Sequence, residues 1–436
     1  MSTADADQVR RRFLLLTATR WLPTGLLIPL ITIAPLERGL SLAEVGLITA
    51  VGGVVVFVLE LPTGGLADVV GRRPVLLVAT LCNLVSTATI AVATSVPLYL
   101  AAWAVEGIYR ALESGPLDSW YVDAAQAADP DADIERGLAL RGVVLSVAIG
   151  VGALACGGIA LLPQPDGLPV LAVPILVSLA LRVVDGIAIT VLLDEVRLVP
   201  RSGRRRVGAV LATVRGTWAV VAESTALLRA SAALAGLAAA ELVWGAGMVG
   251  VEVFAGPRVV ELLGDADRGV LVFAITATVG WGLSGVGSSA APWIARRTGS
   301  WVAAAVVTRV SQGLAVLAAG VVAGMTGLLI AYLGFYVVHG AANVAHYGLV
   351  HRNFGARHRA TVVSVNSLAG RLGGVVAAPL LGALATSAGL PWTFVAAAAL
   401  LAAGGPLYLA ARSSGDAGAG PEGARVPAAG AGTTGT

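Results

Sequence analysis

The chain has 436 residues, of which 57% are hydrophobic and only 13% are charged, and its formal net charge is +3. This balance is far more apolar than that of a soluble globular protein, so we predict that the chain buries its surface in a lipid bilayer. The basic residues are dispersed among apolar segments and form no stripe. We therefore predict no nucleic-acid partner.

Lysine and cysteine usage excludes further classes of protein. The sequence has no lysine, although a phosphate-binding loop and Schiff-base chemistry both require one. ATP-driven pumping by this chain alone and light-driven chemistry are therefore disfavoured. Its two cysteines, Cys82 and Cys156, lie in apolar segments without metal-ligand or disulfide spacing. We accordingly predict no cofactor and no metal site.

The chain begins with Arg10, Arg11 and Arg12, which precede an apolar run that extends to about Pro35. We predict an uncleaved first membrane span with the N-terminus inside, since no small-residue cleavage site is evident. Apolar stretches of about 20 residues, the length that crosses a bilayer, recur along the chain and number about twelve. The predicted spans lie near residues 13–36, 41–62, 75–94, 97–118, 138–161, 168–193, 232–254, 269–291, 300–323, 326–349, 360–386 and 391–411.

A polar turn from Glu60 to Pro74 connects the second and third spans. Its glycines allow two helices to approach closely, and Asp68 is placed to meet a helix N-terminus or an arginine. Arg72 and Arg73 mark the cytoplasmic side, because basic residues in short loops resist translocation. An ordinary charged turn would explain the two arginines but not the whole arrangement.

This turn resembles the signature loop of the major facilitator superfamily of secondary transporters, which reads Gly-x-Leu-Ala-Asp-x-x-Gly-Arg-Arg. The matching residues are Gly64, Leu66, Ala67, Asp68, Gly71, Arg72 and Arg73. The position after the aspartate, usually basic in that family, is Val69 here, so one expected charge contact is missing. The resemblance implies an all-α membrane protein with twelve transmembrane helices in two pseudosymmetric six-helix bundles, and it implies that the loop is a gate motif.

The longest polar interruption separates the sixth span from the seventh and sets the domain boundaries. We predict an N-terminal six-helix bundle at 1–193, a cytoplasmic linker with an amphipathic helix at 194–231, a C-terminal six-helix bundle at 232–412 and a disordered tail at 413–436. Arginines concentrate in the segments on one side of the spans. We therefore predict a multi-pass protein of the cell membrane with both termini in the cytoplasm.

The fourth span carries three ionisable residues. Charged side chains inside a span are costly and usually face a cavity or a partner. Glu106, Arg110 and Glu113 follow i, i+4, i+7 spacing, which places them on one helix face. Glu106 and Arg110 can neutralise each other, which would leave Glu113 free to exchange a proton. The alternative is a structural ion-pair cluster that faces a neighbouring helix.

The tenth span repeats this spacing with His339, Asn343 and His346. Histidine changes charge near neutral pH, so this face is predicted to line the same substrate and proton cavity from the other half. Hydrogen bonding between helices is the alternative.

Arg182 and Asp185, one turn apart in the sixth span, indicate a structural pair. The other candidates for the cavity are Arg20, Glu241 and Arg371.

Residues 114–123, where the fourth span reaches the cytoplasm, resemble a pattern found in one group of facilitator-type transporters. Asp118 and Asp123 in this segment are predicted to contribute to the cytoplasmic gate, and helix capping and turn formation are the alternative.

The fifth span lacks the Gly-Pro pair of the drug–proton antiporter signature. Its glycines are Gly150, Gly152, Gly157 and Gly158.

These features predict a secondary transporter, not an enzyme, that moves a small organic solute by alternating access. Proton-coupled efflux of a drug or metabolite is preferred by family analogy, and a solute importer of the same fold is the alternative. A membrane-embedded enzyme or a non-transporting sensor is disfavoured, because the sequence shows neither a nucleophile–base pair nor an output domain. The predicted partners are the substrate, protons and lipid, with the chain as a monomer. Aromatic content of 5% indicates no obvious stacking cage.

Overall fold

A computed structural model describes residues 5–63, 65–163, 165–194, 222, 224–322, 324–354 and 359–414. Within these ranges the chain is almost entirely helical. The helices, numbered in chain order, are α1 (Ala6–Leu27), α2 (Leu30–Glu37), α3 (Leu42–Thr63), α4 (Leu66–Val70), α5 (Arg72–Val92), α6 (Val96–Glu113), α7 (Pro116–Ala128), α8 (Ile134–Ala160), α9 (Ala172–Leu192), α10 (Ala232–Glu252), α11 (Ala255–Leu263), α12 (Ala266–Thr298), α13 (Trp301–Val321), α14 (Met325–Asn353), α15 (Arg359–Ala388) and α16 (Leu390–Leu407). A 3₁₀ helix at Tyr408–Ser414 follows α16.

Membrane crossings account for most of these helices. Among the described residues, 11 candidate spans are long and apolar enough to cross a bilayer, and α1 with α2 and α10 with α11 each count as one. The α6 helix is not among these 11 spans. It is 18 residues long and holds three charged residues, Glu106, Arg110 and Glu113, so it is less apolar than they are. Because α6 packs against α3 and α5, it is the remaining helix of the predicted twelve.

The breaks between helices follow from local chemistry. The first crossing is interrupted after Leu27 because Pro29 lacks a backbone N–H and cannot continue the helix. Gly115, at φ 98°, separates α6 from α7 in a left-handed conformation that residues with a Cβ rarely adopt. The predicted span 97–118 therefore ends earlier, at Glu113. At the boundary between α12 and α13, the Ser300 hydroxyl accepts a hydrogen bond of 3.0 Å from the Ala303 N–H and caps α13.

Helix packing divides the described chain into two halves with the same plan. In the N-terminal half, α1 packs on α8 and α9, α6 packs on α3 and α5, and α5 packs on α9. In the C-terminal half, α10 packs on α15 and α16, α14 packs on α12 and α13, and α13 packs on α16. Each contact has its counterpart in the other half, which is the pseudosymmetric arrangement that the sequence predicts.

Two helix pairs join the halves along their length, namely α3 with α15 and α8 with α12. These pairs are also equivalent under the pseudosymmetry. Glycines allow the close approach: a Cβ at Gly46 would overlap the Ala378 carbonyl oxygen, and one at Gly157 would lie 2.8 Å from a methyl carbon of Leu271. A third contact, of α2 with α11 and α12, joins the halves at the end of the bundle opposite Asp68 and Arg72.

The predicted linker and tail lie largely outside the described residues. Of the segment 194–231, residues 195–221 and 223 are not described, and residues 224–230 are helical. The amphipathic helix in this linker thus stays a prediction. Of the tail 413–436, residues 415–436 are likewise not described.

Candidate functional site

The signature loop forms an ionic cluster at one end of the N-terminal half, which we call the motif end. Arg72, at the start of α5, lies 3.6 Å from an Asp68 carboxylate oxygen and 2.5 Å from an Asp123 carboxylate oxygen on α7. Arg73 donates a hydrogen bond of 2.5 Å to the Thr190 carbonyl oxygen in the last turn of α9, where the helix dipole favours a cation. The loop therefore ties α4, α5, α7 and α9 together.

The apolar residues of the loop complete this cluster. Ala67 is buried in a small core with Val75 and Tyr109, and Leu66 packs against it. Gly71 has φ 110°, a conformation that favours glycine and that allows the chain to turn directly from α4 into α5. Gly64 lies outside the described residues.

Asp118 makes a second connection at the motif end. Its carboxylate lies 2.7 Å from the Arg141 guanidinium and thereby links α7 to α8. Burial raises the pKa of Asp118 above its usual value, and the positive charge of Arg141 opposes that shift. Both acidic residues predicted at the cytoplasmic end of the fourth span thus form ion pairs with arginines of neighbouring helices.

One ion pair at the motif end connects the two halves. The Arg371 guanidinium of α15 lies 2.7 Å from one Glu60 carboxylate oxygen of α3, and a second nitrogen donates to the other oxygen at 3.4 Å. Among the described residues, this is the only ion pair between the halves. The sequence placed Arg371 in the cavity set but did not indicate Glu60 as its partner. Because the Arg371 side chain is 42% exposed, the pair can open without burying a bare charge.

A buried polar cluster holds the interior of the N-terminal half together. The Arg20 guanidinium lies 3.5 Å from the Asp185 carboxylate and donates a hydrogen bond of 3.1 Å to the Thr80 hydroxyl. The Tyr109 ring faces Arg20 at 5.9 Å and Arg182 at 6.0 Å, so it lies between two guanidinium groups. The predicted pairing of Arg182 with Asp185 is wrong, because the Asp185 carboxylate points across the bundle to α1.

The polar face of α6 lies beside this cluster. Glu106 and Arg110 form the predicted ion pair, with 3.3 Å between the Arg110 Nε and a Glu106 oxygen. Both residues line a pocket inside the N-terminal half, together with Arg182 and mainly apolar side chains. Glu113 is half-buried one turn further along α6.

A second buried cluster occupies the C-terminal half. Arg309 of α13 is fully buried and lies 3.6 Å from the Glu241 carboxylate of α10. The same Glu241 oxygen lies 3.4 Å from the His346 Nε2 of α14. Arg309 also donates a hydrogen bond of 2.9 Å to the Tyr408 hydroxyl, which is 2.9 Å from the other His346 nitrogen. Four chain segments thus meet at one carboxylate and one guanidinium.

The C-terminal cluster continues along the predicted face of α14. The Arg309 guanidinium donates a hydrogen bond of 2.9 Å to the Gln312 side-chain oxygen, and the Gln312 amide contacts the His339 Nδ1 at 3.1 Å. On its other side, His339 Nε2 is 2.9 Å from the Asn343 amide. The structure therefore brings the three predicted residues of this face and Glu241 into one network. His339 and His346 are buried, whereas Asn343 is half-buried.

The two clusters occupy equivalent positions in the two halves. The N-terminal cluster joins α1, α5, α6 and α9, and the C-terminal cluster joins their counterparts α10, α13 and α14 with the segment after α16. Their charges are exchanged: the first helix of the half supplies Arg20 in one case and Glu241 in the other. Thr80 and Arg309 lie equally far from the first residues of their helices.

Aromatic rings cover the side of the C-terminal cluster nearest α12. Trp244 stacks on His339 with 5.9 Å between ring centroids, and Trp281 of α12 lies 5.5 Å from Tyr336. The low aromatic content of the chain did not predict this grouping of rings. The rings come from three helices far apart in sequence, so only the folded bundle brings them together. Tyr332 adds a further ring at 5.0 Å from Tyr336.

Sequence reasoning missed several members of these clusters. Arg309 has no acidic residue on its own helix, and an arginine without an opposite charge in an apolar span was the available signal. Within the described part of the chain, no group of three or more His, Cys, Asp or Glu side chains is arranged to hold a metal ion. The polar residues that the sequence did not select for the site are Glu60, Thr80, Arg182, Asp185, Arg309, Gln312 and Tyr408.

The fold is that of a helical membrane protein built from two six-helix halves. Each half contains one of the two buried polar clusters. The sequence profile described as the Major Facilitator Superfamily matches residues 13–338, and the chain therefore belongs to this superfamily of membrane transporters. A search of the curated proteins finds no match to the sequence.

Solved structures of similar shape come from the same class. The nucleoside transporter NupG matches with a TM-score of 0.71 and 10% identity over 93% of this chain and 99% of that one. A bacterial homologue of the human lysosomal transporter Spinster, in an inward-facing and unoccupied conformation, matches with a TM-score of 0.73 and 14% identity over 94% of this chain and 97% of that one. A D-xylose–proton symporter matches with a TM-score of 0.65 and 12% identity over 94% and 97%. At these identities the likeness shows the fold alone.

Proposed function

We propose that this chain is a secondary active transporter of the cell membrane that moves a small organic solute by alternating access between its two halves. The observation that carries the proposal is the packing between the halves. Each half is held together by several helix pairs and a buried polar cluster, whereas glycine-lined contacts of α3 with α15 and of α8 with α12 join the halves. Such contacts allow two rigid bodies to rock while the polar clusters stay intact.

The motif end is the cytoplasmic end in this proposal, and both termini are cytoplasmic. Arg72, Arg73, Arg296 and Arg352 lie in helix ends or loops on this side, which agrees with the enrichment of basic residues in cytoplasmic loops. The chain acts as a monomer, with the solute path near the bilayer midplane. Glu106, Arg110, Glu113, His339 and Asn343 are the residues we place along that path.

Proton-coupled efflux of a drug or metabolite is the direction we propose. The support is the set of carboxylates and histidines within the spans, since such groups can exchange protons between compartments. Solute import by the same fold is the second candidate, because alternating access can move a solute in either direction. Vesicles of known orientation, energised with a pH gradient of either sign, distinguish the two: solute accumulation driven only in the inward direction would contradict efflux.

Alternating access is expected to expose the faces of α6 and α14 to water from either side in turn. The test is maleimide labelling of single-cysteine variants, Trp103→Cys and Asn343→Cys, in a chain whose native Cys82 and Cys156 are replaced. Ile187→Cys, on the exposed apolar face of α9, is the matched control and should not react from either compartment. If both test positions stay sealed against reagent from both sides, the carrier proposal is wrong.

Asp68→Asn is expected to abolish transport while the protein still folds and inserts. The reason is that the substitution removes the charge that lies 3.6 Å from Arg72 and leaves the Arg72–Asp123 contact, so the loop loses one of its two ionic connections. Transport is measured in proteoliposomes, and folding by monodispersity in gel filtration. Asp7→Asn, which disrupts an exposed pair with Arg10 at the N-terminus, is the control. Undiminished transport by Asp68→Asn would refute the gate role of the motif.

A further inference from the structure

One pocket lies within the N-terminal half and is lined mainly by apolar side chains. It runs along α6 from Tyr99 and Trp103 to Arg110, with α1 on one side and α9 on the other. Its apolar walls include Leu27 at the end of α1 and Leu30, Ile31 and Pro35 of α2. At its polar end lie Glu106, Arg110 and Arg182. The pocket therefore has an apolar body and a charged end with two guanidinium groups and one carboxylate.

Arg182 is the unusual residue of this pocket. It is 3% exposed, and its Nε is buried without a hydrogen-bond partner. Within the described ranges it forms no ion pair, although two nearby arginines do: Arg20 pairs with Asp185, and Arg110 pairs with Glu106. The Tyr109 ring centroid lies 6.0 Å from its guanidinium carbon.

A buried guanidinium without a hydrogen-bonded anion is costly, because the interior does not replace the water it loses. Asp185 forms no ion pair with Arg182, and its oxygens instead accept from Thr19, Thr80 and Arg20. Glu106 forms its ion pair with Arg110, through one oxygen at 3.3 Å, and forms none with Arg182. A ligand that brings its own anionic group would therefore satisfy Arg182 where the protein does not.

We propose that this pocket, whose volume of about 40 Å³ admits an anionic headgroup, binds an amphipathic organic anion. The carboxylate or sulfonate group pairs with Arg182 and Arg110, and the apolar body lies along Leu27, Leu30 and Trp103 once these side chains move apart to make room for it. Guanidinium groups suit such anions because their planar N–H donors match the two oxygens of a carboxylate. Glu106 pairs with Arg110 and would therefore compete with the ligand for it. The proposal rests on the proposed transport function and names the chemical class of its solute.

The test measures binding and does not depend on transport. The purified chain in phosphatidylcholine nanodiscs is titrated calorimetrically with 2-naphthoate, 2-naphthalenesulfonate and decanoate, and with two uncharged or cationic analogues, 2-naphthamide and 2-naphthyltrimethylammonium. Empty nanodiscs give the background. We expect the anions to bind and the other two to bind at least tenfold more weakly. Equal binding of the anion and amide, or binding of none of the anions, would overturn the proposal.

Variants locate the binding to this pocket. Arg182→Gln is expected to weaken 2-naphthoate binding about ten- to hundredfold, the range for loss of a charged hydrogen bond, and Arg182→Lys should recover part of it. Glu106→Gln is expected to tighten binding, because it removes the competitor for Arg110. Arg268→Gln, a 75% exposed arginine outside the pocket, is the matched control and should bind as the native chain does. Unchanged binding by Arg182→Gln would overturn the proposal even if the anion binds elsewhere.

Two further arms identify the source of the anion and separate this proposal from the transport proposal. Phosphatidylglycerol in the nanodiscs should compete with 2-naphthoate if an anionic lipid is the ligand, and should not compete if the ligand is a free solute; both results support the anion chemistry. Binding without movement of 2-naphthoate across proteoliposomes would contradict transport and leave the ligand class standing. Transport of another solute without any anion binding would contradict the ligand class alone.

Discussion

Glu241→Gln is expected to destabilise the folded protein by about 3–5 kcal/mol, the cost of breaking a buried ion pair from one side. Arg309 is 0% exposed, so its charge cannot reach water when the carboxylate at 3.6 Å is neutralised. The remaining contacts of Arg309, with the Tyr408 hydroxyl and the Gln312 amide oxygen, are uncharged. The measurement is the Tm of the purified protein in detergent, together with the yield of monodisperse protein.

Two controls show whether charge is the cause of this loss. The double variant Glu241→Gln with Arg309→Gln removes both charges and is expected to recover much of the lost Tm, because no bare charge then stays buried. Asp7→Asn disrupts a pair in which the Asp7 side chain is 60% exposed, and its effect should be below about 1 kcal/mol. A Glu241→Gln variant as stable as the native chain would show that the buried cluster does not depend on its carboxylate.

Gly287→Val is expected to separate α12 from α14 and to lower the Tm by the equivalent of about 3 kcal/mol or more, at the upper end of the range for overpacking. A Cβ at Gly287 would overlap the Val337 carbonyl oxygen, and one at Gly340 would overlap the Ser284 carbonyl oxygen. Because both obstacles are helix backbone, no rotamer change relieves them. Separation would also pull Trp281 away from the Tyr336 ring, so the loss extends to the aromatic contacts.

The matched control lies on the same helix. A Cβ at Gly285 meets no atom within 4 Å, so Gly285→Val adds the same side chain without a clash and should change the Tm by less than about 1 kcal/mol equivalent. Thermal melting and gel filtration of both variants in the same detergent provide the comparison. Equal Tm values for the two variants would contradict the assignment of the Gly287 contact as the close approach.

Most of the membrane spans could be predicted to within a few residues because apolar length is a local signal. The breaks at Pro29 and Gly115 were not predicted, since the predicted spans 13–36 and 97–118 run through them, although both reflect backbone chemistry that acts over a single turn. The face of α14 could be predicted for the same reason: i, i+4, i+7 spacing fixes which side chains share a side. The structure places all three of its polar residues in one network.

The partners of the buried charges could not be predicted in this way. Arg20 meets Asp185 across 165 residues, and Arg371 meets Glu60 across 311 residues. The proximity of Arg182 and Asp185 in sequence indicated a pair, yet spacing along one helix does not decide which neighbouring helix supplies the nearest opposite charge. Three glycines of the fifth span, Gly150, Gly152 and Gly157, likewise acquire their contacts with α1 and α12 only from the packing of the bundle, whereas Gly158 faces open space.

By itself the amino-acid sequence determined a membrane protein of two helical halves, the position of the signature loop and the helices that carry polar faces. These properties follow from hydrophobicity, helix periodicity and the chemistry of helix ends, all of which act between residues close in sequence. Only the tertiary structure decided that Glu241 shares its oxygen with Arg309 and His346, and that Arg182 is left facing a pocket. Electrostatic pairing depends on distance in space, and in a bundle that distance is set by which helices pack together.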